Sequence, residues 1–406
     1  MISDLEQIYS DAANSMKRSV IRELLKLTSQ PDIISFAGGL PSPDSFPKDE
    51  IAQVMAEVMA READFVLQYG TTEGDSILRN RLVNHQYVTV EKMDITEKNL
   101  IIVTASQQAL DLIGKIFINR GDKIIVGLPS YLGGLSAFRT YGADMVGIEL
   151  DDHGMRSDKL EETLKVMQAN GEKPKFIYVI PDFQNPTGIT MPDYRRREIL
   201  DIAIKYDVLI IEDSPYRELR FEGEHQQMIY SMDNTGHVVT LGTFSKILCP
   251  GFRIGWVIAH EKIIDKIVMA KQATDLCTSP FTQRIAARFL ERESMNVHIN
   301  SIVEMYREKR DIMLSAFEKY MPEGVTWVKP EGGLFLFLTL PEHIDTQKMF
   351  MRAIDKKVAY VIGSAFHSNG LGNNTMRINF SYTAKNLIEE GVKRLADAIR
   401  EELSEN

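Results

Sequence analysis

The chain has 406 residues, room for about two or three domains, and its 44% apolar and 26% charged residues have the balance of a globular enzyme. Its 47 basic and 57 acidic residues leave a net charge of −10, which excludes the basic footprint of a nucleic-acid binder and requires any anion site to be built locally. Two cysteines, Cys249 and Cys277, exclude a disulfide framework and a cysteine-rich zinc site, and no apolar run is long enough to span a bilayer.

The first residues, MISDLEQIYSDAANSMKRS, are polar and mixed in charge, so no secretory signal and a cytoplasmic location are expected. An arm ending near Ser19 leads into SVIRELLKLT, a helix pattern with Ile21, Leu24, Leu25 and Thr28 on one side and Ser19 as N-cap. Arg22 then falls in the first turn, where the helix dipole disfavours a cation. That placement hints at function, against the plainer reading of a solvated arginine. FAGGLPSPDSFP (36–47) is a turn-rich loop, and Pro47 starts a helix reaching about Arg61. Another helix is expected over about 75–90.

Apolar runs then alternate with helical patterns. Strands are expected at 100–104, 123–127, 144–150, 175–180, 208–213, 238–242 and 254–259, with helices near 106–119, 130–140, 158–170 and 192–206. This alternation predicts an α/β fold with a mostly parallel seven-stranded sheet between helices. A long helix, about 296–320, leads into a smaller α+β domain with strands near 325–328, 334–339, 358–361 and 375–380 and helices near 345–356 and 384–402. The expected organisation is an arm and helix over 1–45 joining the small domain, a large domain over 46–295 and the small domain over 296–406.

The chemistry concentrates in GTFSKILCPGFRIGW (242–256), between two of these strands. Lys246 in a Ser/Gly/Pro-rich loop beside buried strands is partly desolvated, which lowers its pKa and suits nucleophilic or Schiff-base chemistry. Arg253, seven residues on, is placed to hold a phosphate. VLIIED ends in Asp213, with Tyr216 in the DSPY that follows, and Asn185 sits in the PDFQNPTG turn after KFIYVI. Ligands of open α/β sheets bind at the carboxyl ends of strands, where these residues fall. An Asp in such a place also serves as a helix cap or turn former. In TASQQALDLIGK (104–115) a strand runs into a helix whose first N–H groups suit an anion, although Ser106 reads equally as a plain cap.

Taken together, S-K-x-x-x-P-G-x-R-x-G-W (Ser245–Trp256), with N-P-T-G upstream and D-x-P-Y between, resembles the fold-type I pyridoxal-phosphate enzymes of the class I/II aminotransferase group. SVIRELLKL, SFAGGLPSPDSFP, LQYGTTEG, SQQALDL and FQNPTG narrow the resemblance to the 2-aminoadipate, kynurenine and multi-substrate aromatic aminotransferases. The resemblance implies pyridoxal 5′-phosphate as cofactor, held covalently by Lys246, with Asp213 on the ring nitrogen, Asn185 and Tyr216 on the ring oxygen and Tyr131 stacked on the ring. It implies Lys246, Asp213 and Tyr131 as the catalytic set. Ser106, Gln107, Ser245 and Arg253 would hold the phosphate, with Tyr69 arriving from a partner subunit of a homodimer. Arg377 would bind the substrate α-carboxylate beside Gly39, while Ser19 and Arg22 would meet the substrate side chain. Amino acids and 2-oxo acids, 2-oxoglutarate among them, would be the substrates.

One position departs from the group: Ala105 stands where a glycine is common, a penalty if that residue needs positive φ. The alternatives are a carbon–sulfur β-lyase and a non-catalytic cofactor-binding effector domain like those of GntR-type regulators. The lack of room for a DNA-binding module argues against the latter. No motif points to a metal.

Overall fold

The computed structural model describes residues 7–16, 32–292 and 294–405. Ser19 and Arg22, and the helix expected around them, lie outside the described residues. The arm before them carries a short helix that the sequence reading lacked, Asp11–Ser15, capped by Ser10.

The strands are β1 (Ile34–Ser35), β2 (Leu100–Val103), β3 (Lys123–Leu128), β4 (Asp144–Asp151), β5 (Gly154–Met155), β6 (Phe176–Val179), β7 (Leu209–Asp213), β8 (Val238–Thr243) and β9 (Gly255–Ile258). They are followed by β10 (Thr326–Trp327), β11 (Phe335–Thr339), β12 (Val358–Ala359), β13 (Val361–Ile362) and β14 (Thr375–Asn379). The main sheet has the order β2-β9-β8-β7-β6-β3-β4-β5. Its seven long strands are the expected ones, and the two-residue β5 hairpins onto β4 as an eighth. β9 alone runs against both its neighbours, so β2, β8, β7, β6, β3 and β4 share one direction.

Alternation along each strand explains why these runs read as continuously apolar. Val126, Tyr178, Ile211 and Leu241 pack on one face with Leu110 and Ile113 of the helix Ala105–Phe117. Ile125, Ile177, Ile210 and Val238 pack on the other with Leu160, Leu164, Ile199 and Leu200 of the helices Ser157–Ala169 and Asp193–Tyr206. Successive side chains point to opposite faces. A sheet covered on both sides therefore favours apolar residues on both faces, with buried polar residues such as Glu212 and Thr240 held by hydrogen bonds.

Two helices differ from expectation. Pro47 lies just outside its helix, which spans Lys48–Val66, longer than the reading to Arg61. The segment expected as one helix over 75–90 is α-helical only over Ser76–Arg81 and then widens to π winding over Leu82–Val90. Trp256 Nε1 donates to the Tyr87 hydroxyl at 2.6 Å inside that wider turn.

The helix Ser294–Tyr320 leads to a second, antiparallel sheet of order β10-β11-β14-β13, packed with the helices Thr346–Asp355 and Lys385–Glu405. β1 pairs in parallel with β12, Ile34 opposite Val358, and the Asn379 N–H donates to the Phe36 carbonyl at 2.8 Å. Among the described residues no helix is long and apolar enough to cross a membrane.

Candidate active site

Five strands of the main sheet deliver their carboxyl ends to one side. β7 ends in Asp213 and leads to Tyr216; β6 leads to Asn185; β8 leads to Ser245 and Lys246; β3 leads to Tyr131; β2 leads to Ala105, Ser106 and Gln107. β14 of the second sheet brings Arg377, and the loop after β1 brings Gly39.

Contacts link most of these residues. Arg377 donates to Asn185 Oδ1 at 3.0 Å and to the Ala37 carbonyl at 3.0 Å. Its guanidinium lies 4.4 Å from the Phe335 ring centre and 5.1 Å from that of Phe366. Asn185 Nδ2 donates to the Tyr216 hydroxyl at 3.3 Å. Lys246 Nζ donates to the Gly39 carbonyl at 3.0 Å and stands 5.9 Å from the Tyr216 ring centre. The Tyr131 hydroxyl donates to Gln107 Oε1 at 3.4 Å, and Gln107 Nε2 donates to the Gly133 carbonyl at 3.1 Å, tying two of the loops. Ser245 is held by Thr243, its N–H donating to Thr243 Oγ1 at 3.1 Å.

Burial sets the electrostatics. The Lys246 ammonium is pushed down to about 8, first by burial and then by the nearby cations Arg377 and Arg253. Burial pushes the Asp213 carboxyl up to about 7, against a hydrogen bond from the Tyr178 hydroxyl to Oδ2 at 2.8 Å. Arg377 is pushed down to about 10 by burial, which still leaves it charged at neutral pH. Burial also raises Tyr131 and Tyr216 well into the protonated range, so both act as neutral hydroxyls.

Two atoms at the floor of the cleft are buried without a partner among the described residues: Asp213 Oδ1 and Arg377 Nε. A buried carboxylate oxygen left unpaired is costly unless a ligand supplies the donor. A protonated ring nitrogen is such a donor, and the residues present therefore fit a pyridoxal-type cofactor.

At the strand-to-helix turn Ser106 is not the helix cap. Thr104 occupies the cap position, with no side-chain cap of the helix Ala105–Phe117. Ala105 itself has φ 62°, a left-handed conformation costing an alanine about 1–2 kcal/mol. Arg253 is exposed, and Tyr69 is 79% exposed on the turn after the helix Lys48–Val66. Among the described residues, neither Arg253 nor Tyr69 makes a side-chain hydrogen bond to the other site residues.

Sequence reading missed Tyr178. The register pairs Tyr178 with Ile211, so by two-residue periodicity Tyr178 and Asp213 share a face. A tyrosine two residues before the end of a strand beside an Asp-terminated strand was the available signal. It also missed the carbonyls of Ala37 and Gly39, which side-chain motifs do not reveal.

Comparison with known proteins agrees with this geometry. The family model "Aminotransferase class I and II" matches residues 31–395. The chain is 48% identical over 400 residues to aromatic-amino-acid aminotransferase 1 of Thermococcus litoralis, covering 98% of this chain and 96% of that one. It is 36% identical to the 2-aminoadipate transaminase of Thermus thermophilus, with 97% of each chain covered. The crystal structure of Pyrococcus horikoshii kynurenine aminotransferase, in complex with PMP and with KYN and KYA as substrate and product, superposes with TM-score 0.96 at 48% identity over 99% of both chains. The chain belongs to the class I and II aminotransferase family and is an amino-acid aminotransferase.

Proposed function

We propose that the cleft binds pyridoxal 5′-phosphate and that the enzyme moves the amino group of 2-aminoadipate, aromatic or aliphatic L-amino acids to a 2-oxo acid, with 2-oxoglutarate and glutamate as one half of the cycle. The observation that carries this reading is the unpartnered Asp213 Oδ1, buried in the same cleft as a lysine whose ammonium is destabilised. When bound, the cofactor supplies an electron sink for the charge left when an amino acid loses its α-proton. Asp213 would accept the ring N–H through Oδ1, while Tyr178 holds its other oxygen. Asn185 and Tyr216 would serve the ring oxygen, and Tyr131 would cover the ring face.

Ser106, Gln107, Ser245 and Arg253 hold the phosphate, helped by the positive end of the helix Ala105–Phe117. Lys246 would anchor the cofactor, and its Nζ would take the proton from the substrate α-carbon. In the ligand-free chain burial and the cations Arg377 and Arg253 already weaken the Lys246 ammonium, the direction a proton acceptor needs. Arg377 clamps the α-carboxylate beside Gly39, and its charge-assisted bonds orient the substrate. By the resemblance, Ser19 and Arg22 would meet the substrate side chain. The arm over 1–45 belongs with the small domain of 296–406, a division supported by the β1–β12 pairing, and 46–295 forms the large domain. Two free cysteines suit a cytoplasmic enzyme.

Adding an amino donor without acceptor to the loaded enzyme is expected to convert the cofactor absorbance to that of its amine form. Pyruvate and ammonia released in place of that change identify a carbon–sulfur β-lyase. In a donor screen against 2-oxoglutarate, Arg22→Ala is expected to lower kcat/KM for 2-aminoadipate and glutamate about 10–100-fold, the loss of a charge-assisted pair, with Leu and Phe changing far less. Equal losses for acidic and apolar donors make Arg22 structural.

The active unit is a homodimer in this reading. The exposed Tyr69 completes the phosphate site of the second chain, so each cleft needs both chains. Sedimentation and dilution assays are expected to show activity falling as the dimer dissociates. Full activity in a monomer refutes the shared site.

A further inference from the structure

Behind the start of the helix Ala105–Phe117 lies a polar network with no part in the chemistry above. Lys271 is fully buried, and its Nζ donates to Asp275 Oδ1 at 2.7 Å, Asp275 Oδ2 at 2.9 Å and Gln108 Oε1 at 3.0 Å. Gln108 Oε1 also accepts the Thr104 N–H at 2.7 Å. Thr104 Oγ1 donates to Asp275 Oδ2 at 2.8 Å and lies 3.0 Å from Thr278 Oγ1. Thr104 and Gln108 thus meet on one buried ammonium and its carboxylate partner.

Between Thr104 and Gln108 sits Ala105 at φ 62°. The opposite side is closed by bare backbone: a Cβ on Gly255 would come within 2.7 Å of Ala105 C and Ser106 N. The left-handed region carries a steric cost for an alanine that a glycine does not meet. Something must therefore hold Ala105, and the network grips the residue before it and the residue three after it.

We propose that Lys271 and Asp275 are positioning residues for phosphate recognition, locking Thr104 and Gln108 so that Ala105 keeps the left-handed turn that aims the N–H groups of Ser106 and Gln107 at the ligand. This inference rests on the pyridoxal-phosphate reading of the cleft. The ion pair suits the task because removing the carboxylate charge leaves a buried cation uncompensated and the network slack.

The test titrates apoenzyme with pyridoxal 5′-phosphate and, separately, with pyridoxal, which lacks the phosphate. Asp275→Asn is expected to weaken pyridoxal 5′-phosphate about tenfold or more and pyridoxal by less than twofold. Thr104→Val, which keeps the side-chain shape and removes the hydroxyl link, is expected to give the same selective loss at severalfold. Ala105→Gly added to either variant is expected to restore part of the lost affinity, because glycine reaches φ 62° without the steric cost an alanine meets. Equal losses for both ligands, no loss in both variants, or no recovery with Ala105→Gly overturns the assignment. Should Asp275→Asn fail to fold, Thr104→Val with and without Ala105→Gly decides alone. A wild-type apoenzyme that binds neither ligand overturns the cofactor reading and this assignment together; normal wild-type binding with insensitive variants overturns only the assignment.

Discussion

Lys246→Ala is expected to abolish turnover, by at least about 10³–10⁴-fold, and to leave the fold intact. A positioned proton-transfer group alone contributes about 10²–10⁴-fold, and this substitution removes the covalent anchor as well. The fold survives because the hydrogen bond of Nζ to the Gly39 carbonyl is replaceable by water, whereas the ammonium itself is destabilised by burial and by Arg377 and Arg253. The sign is testable in the ligand-free protein. The unfolded chain holds the lysine proton up to about its ordinary 10.5, the folded chain only to about 8. Between those values the unfolded state binds more protons, so folding stability rises with pH. Melting curves of the apoenzyme should show that rise in the wild type and lose it in Lys246→Ala. Borohydride should fix the cofactor to the peptide carrying Lys246; fixation on another lysine, or turnover within tenfold of wild type, defeats the role.

Asp213→Asn is expected to keep the cofactor bound and to slow turnover roughly a hundred- to thousandfold, the scale of losing one preorganised electrostatic group. The amide still fills the space and meets the Tyr178 hydroxyl but brings no negative charge to the ring nitrogen. Near-normal turnover would remove Asp213 from the mechanism. A second signature needs no cofactor. Burial raises the carboxyl to about 7 in the fold against about 4 when unfolded, so its protonation stabilises the apoenzyme at acid pH. That contribution is fully present below about 4 and disappears as pH rises through about 7. Asparagine cannot titrate, and the difference in melting temperature between the two proteins should change across that window.

What was legible in the sequence is what strand alternation and loop chemistry make local. The central strands β3, β6, β7 and β8 are buried on both faces and read as apolar runs, and the catalytic residues lie at or just after the ends of such strands. Asp213, Asn185 and Lys246 are therefore placed by their strands before any packing is known. Arg377 was legible only by resemblance, because its own strand belongs to the other sheet. Illegible features are long-range. Gly39 meets Lys246 across 207 residues, through a backbone carbonyl that has no sequence signature. Lys271 reads as an ordinary helix lysine until the fold buries it against Gln108. The π winding over Leu82–Val90 has no helix breaker to mark it. Ala105 is the instructive middle case. Its departure from glycine was visible, and the structure supplies the φ of 62° that makes the departure matter.

The pairing of β1 with β12 bears on how the enzyme comes into being. Ala37 and Gly39, whose carbonyls receive Arg377 and Lys246, follow β1 directly, and β1 is held by residues 358–359. The ribosome adds about 5–20 residues per second, so some tens of seconds separate the emergence of β1 from that of its partner strand. During that interval the main sheet can form from its own consecutive units while the loop around Gly39 has no strand to dock on. The cleft is then the last part of the chain to close, its substrate side assembled only after almost the whole polypeptide has been made. A nascent chain stalled before β12 would carry Lys246 and Asp213 on a finished sheet and still lack the wall against which the substrate carboxylate is held.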